Sequence, residues 1–285
     1  MTRSAPPTKE EIRQYAFERG ADLCGFVSTA RLNTVTPTRY KPSRLWPAAK
    51  TAISIGKRFL TGAAKVGITD SIQNGRWISW RTCDLLNTLA LDIGHFLERG
   101  GQVALPLSSG NMADPDHTNR GVFAELSHRH TAAQAGLGVI GVPTFLVTPQ
   151  FGPRVYLNTI LTETEYEPDP RLDFDPCGTD CDACIKACPH EAIVRGRRTI
   201  KKPLCIPHAM PHGARPMRDF ILGVMSKTDP KEREAALYDA QFLRLFRATV
   251  FGVGTFAGCF FCLEACPIGK DGPAMATPAA GTKQL

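Results

Sequence analysis

Eight of the ten cysteines in this 285-residue chain crowd into its C-terminal part, and their spacing constrains the fold more than any other feature. Cys177, Cys181, Cys184 and Cys188 form one run that ends in Cys188-Pro189. Cys259, Cys262 and Cys266 form a second that ends in Cys266-Pro267, with Cys205 alone between the runs. Thiolates this close, in runs ending Cys-Pro, are the pattern of two 4Fe–4S clusters in which the last Cys of a run ligates the other run's cluster. Two or three residues between ligands let one loop wrap a cluster that takes about four thiolates, and the proline turns the chain away. Crossed ligation forces both runs to fold as one unit. The gap between Cys177 and Cys181 is three residues, one more than usual.

The alternatives fit less well. Structural zinc favours paired Cys-x-x-Cys or added His without Cys-Pro endings. Disulfides do not suit a chain whose N-terminus, MTRSAPPTKEEIRQ, lacks an apolar secretory segment and points to the cytoplasm. Cys24 and Cys83, far upstream, read as buried small hydrophobes. No apolar run is long enough to predict a membrane span. The formal net charge of +7 suits either a mildly basic surface or an anionic partner such as RNA. The densest basic run holds Arg195, Arg197, Arg198, Lys201 and Lys202.

Upstream, Thr8-Lys-Glu-Glu11 is a capping box that opens a helix ended by Gly20. Strands are expected over 23–27, 51–55, 102–107, 144–148 and 155–161, the last two joined by Pro149-Gln-Phe-Gly-Pro153. Residues 30–48 read as Pro-rich and irregular, and 108–120 as a polar loop. Leu85, Leu89, Ile93 and Phe96 mark a helix over 80–97, and a second helix is expected over 123–134. The order predicts a layered α+β unit over residues 1–165 and a cysteine-bearing unit over 166–271, with 162–176 as the acidic linker. Within the second unit a short helix follows Pro189. Asp229-Pro230 starts another that carries Leu237, Phe242, Leu245 and Phe246. The tail, 272–285, is small, polar and expected to be disordered.

Gly136-Leu-Gly138-Val-Ile-Gly141 matches the dinucleotide fingerprint, but that motif needs a strand before it and a helix after. Here the order is reversed, which argues against a nicotinamide site. The same residues in Ala135-Gly-Leu-Gly-Val-Ile-Gly141, with Leu146-Val-Thr-Pro-Gln-Phe-Gly-Pro-Arg-Val155 and the cysteine runs, resemble epoxyqueuosine reductases and the core of corrinoid-dependent reductive dehalogenases. The resemblance runs from about Thr8 to Pro267 and is strongest over 127–189 and 259–267.

The resemblance implies a nitroreductase-like domain that binds cobalamin, followed by a two-cluster ferredoxin-like domain with a helical insertion. It implies an iron–sulfur oxidoreductase that passes electrons from two 4Fe–4S clusters to a base-off corrinoid. A two-cluster electron-transfer protein without corrinoid is the alternative. Cys177, Cys181, Cys184 and Cys266 would hold one cluster and Cys188, Cys205, Cys259 and Cys262 the other, with the places of Cys188 and Cys266 open to exchange. Gly136, Gly138, Gly141 and Arg154 become candidate cofactor-binding residues. Reduced ferredoxin or flavodoxin is the expected electron donor, and tRNA a possible partner through the basic run. The family's acidic proton donor falls by count at Gly121-Val122-Phe123, where there is no acid. Glu125, His128 and Tyr156 are therefore the candidate catalytic donors. No Asp-x-His-x-x-Gly segment offers a histidine to cobalt.

Overall fold

In a computed structural model, residues 6–66, 72–110, 114–115, 122–196, 199–212, 214–251 and 258–270 are described. The capping box at Thr8 closes as its residue types dictate. The Thr8 hydroxyl accepts from the Glu11 N–H, and the Glu11 carboxylate accepts from the Thr8 N–H at 2.7 Å. This starts the helix Lys9–Glu18, whose Ile12 and Ala16 are buried. The chain then enters a four-stranded sheet in the order Leu23–Ser28, Thr51–Arg58, Val155–Thr162, Ala104–Pro106, every neighbour antiparallel. Phe26 lies opposite Ile53, and Ile53 opposite Ile160, so the apolar register continues across three strands. The strand expected over 102–107 shortens to Ala104–Pro106 at the sheet edge, where a proline can be accommodated.

The long helix Ile72–Arg99 covers one face of the sheet and begins well before the expected Trp80. Ser79 and Thr82 return their hydroxyls to the Gly75 and Ile78 carbonyls, which lets polar residues sit in its middle. Its buried stripe is Leu86, Leu89, Ala90, Ile93 and Leu97, packed on Ile12, Phe26, Ile53 and Ile160. Leu85, expected in that stripe, is 48% exposed, because the stripe runs one residue further round the helix. Phe96 packs at its border and stacks on Tyr15 at 4.3 Å. On the other side Val27, Leu32, Ala52, Leu126, Ala135 and Leu161 form a second cluster. Both upstream cysteines, Cys24 and Cys83, are buried.

Several local expectations change. The stretch 30–48 is not irregular: Ser28 caps the helix Thr29–Val35, and a 3-10 turn Thr38–Tyr40 and the helix Pro42–Leu45 follow. The helix expected from Phe123 begins only at His128, while Val122–Phe123 pair as a strand with Asp114–Pro115. Of the strand expected over 144–148, only Leu146–Val147 forms, paired with Val139–Ile140. No helix follows Pro189; Ile193 instead bridges to Ile200. The helix begun at Asp229 stops at Ala236, and a new one, Ala240–Phe251, starts because the Asp239 carboxylate caps the N–H groups of Gln241 and Phe242. Leu245 of that second helix is buried, whereas Leu237 and Phe246 are exposed. Helices Lys202–Ala209 and Ala214–Met225 are additional. Most of the polar loop 108–120 and the whole tail 272–285 lie outside the described residues.

The acidic segment after Thr162 is a strap on the sheet rather than a slack linker. Tyr166 is buried, takes the Thr51 hydroxyl as acceptor for its N–H and donates its phenol to the Pro7 carbonyl at 2.9 Å. The Asp169 carboxylate accepts from Lys9, Arg13 and the Phe26 N–H at 2.6–3.1 Å. Among the described residues no helix is long and apolar enough to cross a membrane.

Candidate metal centre

The strap delivers the first cysteine run to the sheet's edge. Asp175 turns the chain there: its carboxylate accepts from the Cys177 and Gly178 N–H groups at 3.2 and 3.1 Å. Arg195 donates to the Thr179 carbonyl at 2.6 Å and also to the Cys181 carbonyl, closing the loop around the first three thiols. The Cys188 sulfur accepts from the Ala192 N–H at 3.4 Å. Cys205 rides on the helix Lys202–Ala209. Gly258, next to Cys259, donates to the Ala209 carbonyl at 2.7 Å. A Cβ on Gly258 would stand 2.5 Å from Pro211 and 2.6 Å from the His208 carbonyl, so glycine is what lets Cys259 approach Cys205.

The thiols fall into two neighbouring sets. Cys184 interacts electrostatically with Cys177, Cys181 and Cys266, and Cys266 with Cys177 and Cys181. Cys262 interacts with Cys259, Cys205 and Cys188, and Cys205 with Cys259 and Cys188. Each set therefore draws on both cysteine runs. Cys184 also reaches Cys262, which makes the sets adjoin. Burial and then the neighbouring thiols push Cys184 up to about 11, and Cys262 and Cys205 upward as well. Metal-free, Cys184, Cys205 and Cys262 hold neutral thiols; a bound metal reverses that by drawing the thiolate out. Among the described residues no three His, Cys, Asp or Glu side chains converge as one metal ion requires. A 4Fe–4S cluster takes its thiolates at separate iron corners, further apart than the ligands of a single ion.

The second run is fastened to the sheet. The Arg154 side chain, 3% exposed, donates to the Leu263 carbonyl at 2.9 Å, to the Cys266 carbonyl at 3.0 Å and to the Ile268 carbonyl. Phe260 stacks on Phe59 at 5.3 Å, and Phe59 meets Tyr156 edge-on at 5.5 Å. Gly152 has φ +58, and a Cβ on it would lie 2.1 Å from the Ile268 carbonyl.

The other candidates are placed as follows. Gly136, at φ +74, would put a Cβ 2.2 Å from the Pro170 carbonyl, and Gly138 would put one 2.4 Å from the Val147 carbonyl. Gly141 would put one 2.8 Å from the Val147 side chain and 3.4 Å from the Cys177 sulfur. The helix His128–Gln134 precedes these glycines and the strand Val139–Ile140 lies among them, the reverse of a dinucleotide fold. His128 is engaged at both ring nitrogens: Nε2 donates to the Ser108 carbonyl at 3.1 Å, so Nδ1 accepts from the Thr159 hydroxyl at 2.9 Å. Burial pushes its pKa down, which keeps it neutral. Glu125 is exposed. Tyr156 lies in the aromatic group with Phe59, and burial pushes its phenol far up. Arg197 and Arg198 lie outside the described residues. Reading along the chain missed Asp175 and Gly258, and took Arg195 for a member of the basic run rather than a clamp on the first cysteine loop. Only Gly258, directly before Cys259, carried a signal in the sequence.

No protein-family profile matches the chain. Over 82 residues it is 38% identical to the epoxyqueuosine reductase of Listeria monocytogenes, a match that takes in 29% of this chain and 21% of that relative. The epoxyqueuosine reductase structure from Streptococcus thermophilus superposes with a TM-score of 0.54 at 21% identity, over 92% of this chain and 66% of that one. A B12-dependent reductive dehalogenase structure superposes with a TM-score of 0.55 at 17% identity, over 88% of this chain and 38% of that one. The chain thus spans less than two thirds of these relatives.

Proposed function

Because the chain carries the mixed helix-and-sheet fold of the superfamily of epoxyqueuosine reductases and reductive dehalogenases, we propose that it is an iron–sulfur oxidoreductase with two 4Fe–4S clusters and a base-off corrinoid. The observation that carries this reading is that each of two four-thiol sets draws on both cysteine runs. The clusters supply single electrons when bound, and the corrinoid a low-valent cobalt. Residues 1–165 form the nitroreductase-like, corrinoid-binding part and 166–271 the ferredoxin-like part.

Cys177, Cys181, Cys184 and Cys266 hold one cluster; Cys188, Cys205, Cys259 and Cys262 hold the other. Asp175 and Arg195 shape the first loop, Gly258 admits the second run, and Phe59 with Phe260 excludes water between the two parts. The corrinoid rests on the superfamily resemblance. Gly136, Gly138 and Gly141 serve it only indirectly, by packing their own backbone against Pro170 and Val147. Proton delivery to a product falls to Glu125, His128 or Tyr156. Reduced ferredoxin or flavodoxin is the proposed donor.

One structural neighbour of 19% identity, an epoxyqueuosine reductase with a TM-score of 0.55, was solved with an epoxyqueuosine-modified tRNA stem loop. That supports tRNA as a substrate class. Arg195 is committed to backbone carbonyls, and exposed Lys201 is the phosphate contact this reading offers.

Anaerobic purification with iron, sulfide and cobalt quantitation, beside a cobalamin reconstitution, tests the reading. About eight irons with stoichiometric corrinoid is the expected result, and about four or fewer irons refutes the two-cluster assignment. The second reading is an electron-transfer protein without corrinoid. It is favoured by the engagement of both His128 nitrogens, and about eight irons with no corrinoid uptake decides for it.

A further inference from the structure

Arg154 is a buried cation with no carboxylate at ion-pair distance among the described residues, Glu264 acting on it only from further off. Its guanidinium is spent on three carbonyls, those of Leu263, Cys266 and Ile268, all on the loop that carries the last thiol of the second run. Hydrogen bonds to carbonyls satisfy the N–H groups but leave the charge itself unbalanced, and a buried charge is costly unless something of opposite sign lies near. The nearest carboxylate on that loop, Glu264, is turned to Lys270 at 3.2 Å, and its other oxygen is buried without a hydrogen-bond partner. Beside Arg154 lie the Cys266 sulfur, the larger influence, and then Glu264; the Cys266 sulfur in turn adjoins Cys177 and Cys181.

We propose that Arg154 is the counter-charge of the iron–sulfur cluster held by Cys177, Cys181, Cys184 and Cys266, and that it raises that cluster's reduction potential while holding the Cys266 loop in place. This rests on the cluster assignment above. Reduction adds one electron and no proton to the cluster, making it more negative by one charge, so a fixed cation beside it favours the reduced form. Arg154 bonds the carbonyl of Cys266, a ligand of the first set, so its charge bears more on that cluster than on the one held by Cys188, Cys205, Cys259 and Cys262. Arg154 is a positioning and tuning residue, not one that touches a substrate.

The test is a dithionite titration of the full, anaerobically reconstituted chain, followed by electron paramagnetic resonance, on wild type, Arg154→Gln and Arg154→Lys. Arg154→Gln is expected to lower the potential of one cluster, shifting its redox equilibrium about tenfold, or about 59 mV for a one-electron couple. The other cluster moves less, and Arg154→Lys recovers most of the shift. If Arg154→Gln loads only one cluster while Arg154→Lys loads both, the charged-positioning role is likewise supported. Two fully loaded variants with wild-type potentials overturn the proposal. So do variants that lose both clusters and their secondary structure alike, because the charge then matters no more than any buried side chain. A wild-type chain that binds no iron is a separate outcome: it overturns the cluster assignment itself and the proposal with it.

Discussion

Replacing Asp169 by alanine removes the anchor that sets the strap on the sheet. The carboxylate accepts from the Phe26 N–H at 2.8 Å, from Arg13 at 3.0 and 3.1 Å and from Lys9 at 2.6 Å. Phe26 is fully buried, so its N–H loses its acceptor where water has little access, which costs about 1–3 kcal/mol. The two cations are partly exposed, and each pair is worth up to about 1 kcal/mol. The sum is about 3 kcal/mol, which for a domain of this size lowers the melting temperature by roughly 6–12 °C. Asparagine keeps an acceptor for Phe26 and loses only the charges, so Asp169→Asn should lose about a third to a half as much. Differential scanning calorimetry on the wild type and both variants, loaded identically, measures the difference. A drop below about 2 °C for the alanine variant, or equal drops for both, refutes the reasoning that the Phe26 N–H carries the larger share.

Other outcomes follow from the same geometry. Gly258→Ala drives a Cβ into Pro211 and the His208 carbonyl. It should remove about four of about eight irons, those of the Cys205 and Cys259 set; full iron content would show that the gap can relax. His128 has a pKa held below its ordinary value by burial. The unfolded chain therefore takes up a proton that the folded one resists: stability is intact above about pH 6.5 and falls as pH drops toward the depressed folded value. In His128→Asn, which can still donate to Ser108 and accept from Thr159, the loss of melting temperature between pH 7.5 and 5.5 should be smaller; an unchanged slope would reject that account.

The parts of this chain that were readable in advance are those written in local chemistry. Thr8 and Glu11 lie within one turn and satisfy each other without tertiary help. The strands around Phe26, Ile53 and Ile160 are continuous apolar runs that a sheet with helices on both faces needs. What escaped reading depends on partners distant in sequence. Leu85 and Leu86 are equally apolar, and only the packing on Phe26 and Ile53 decides that Leu86 faces inward. Asp239 looks like an ordinary helix residue until its carboxylate caps Gln241 and Phe242 and divides the helix. In the sequence Arg154 reads as a candidate cofactor-binding residue; its acceptors lie over a hundred positions downstream, at Leu263, Cys266 and Ile268. The glycines of the false dinucleotide motif have the same explanation, since Gly136 is glycine because Pro170 of the strap presses on it.

The central claim is that the two cysteine runs exchange their last thiols. The most direct measurement is the paramagnetic resonance spectrum of the single cluster left in Cys266→Ala, compared with those left in Cys177→Ala and Cys259→Ala. Crossed sets predict that Cys266→Ala and Cys177→Ala leave the same cluster, and that Cys259→Ala leaves the other. If Cys266→Ala instead matches Cys259→Ala, each run keeps its own thiols and the account is wrong.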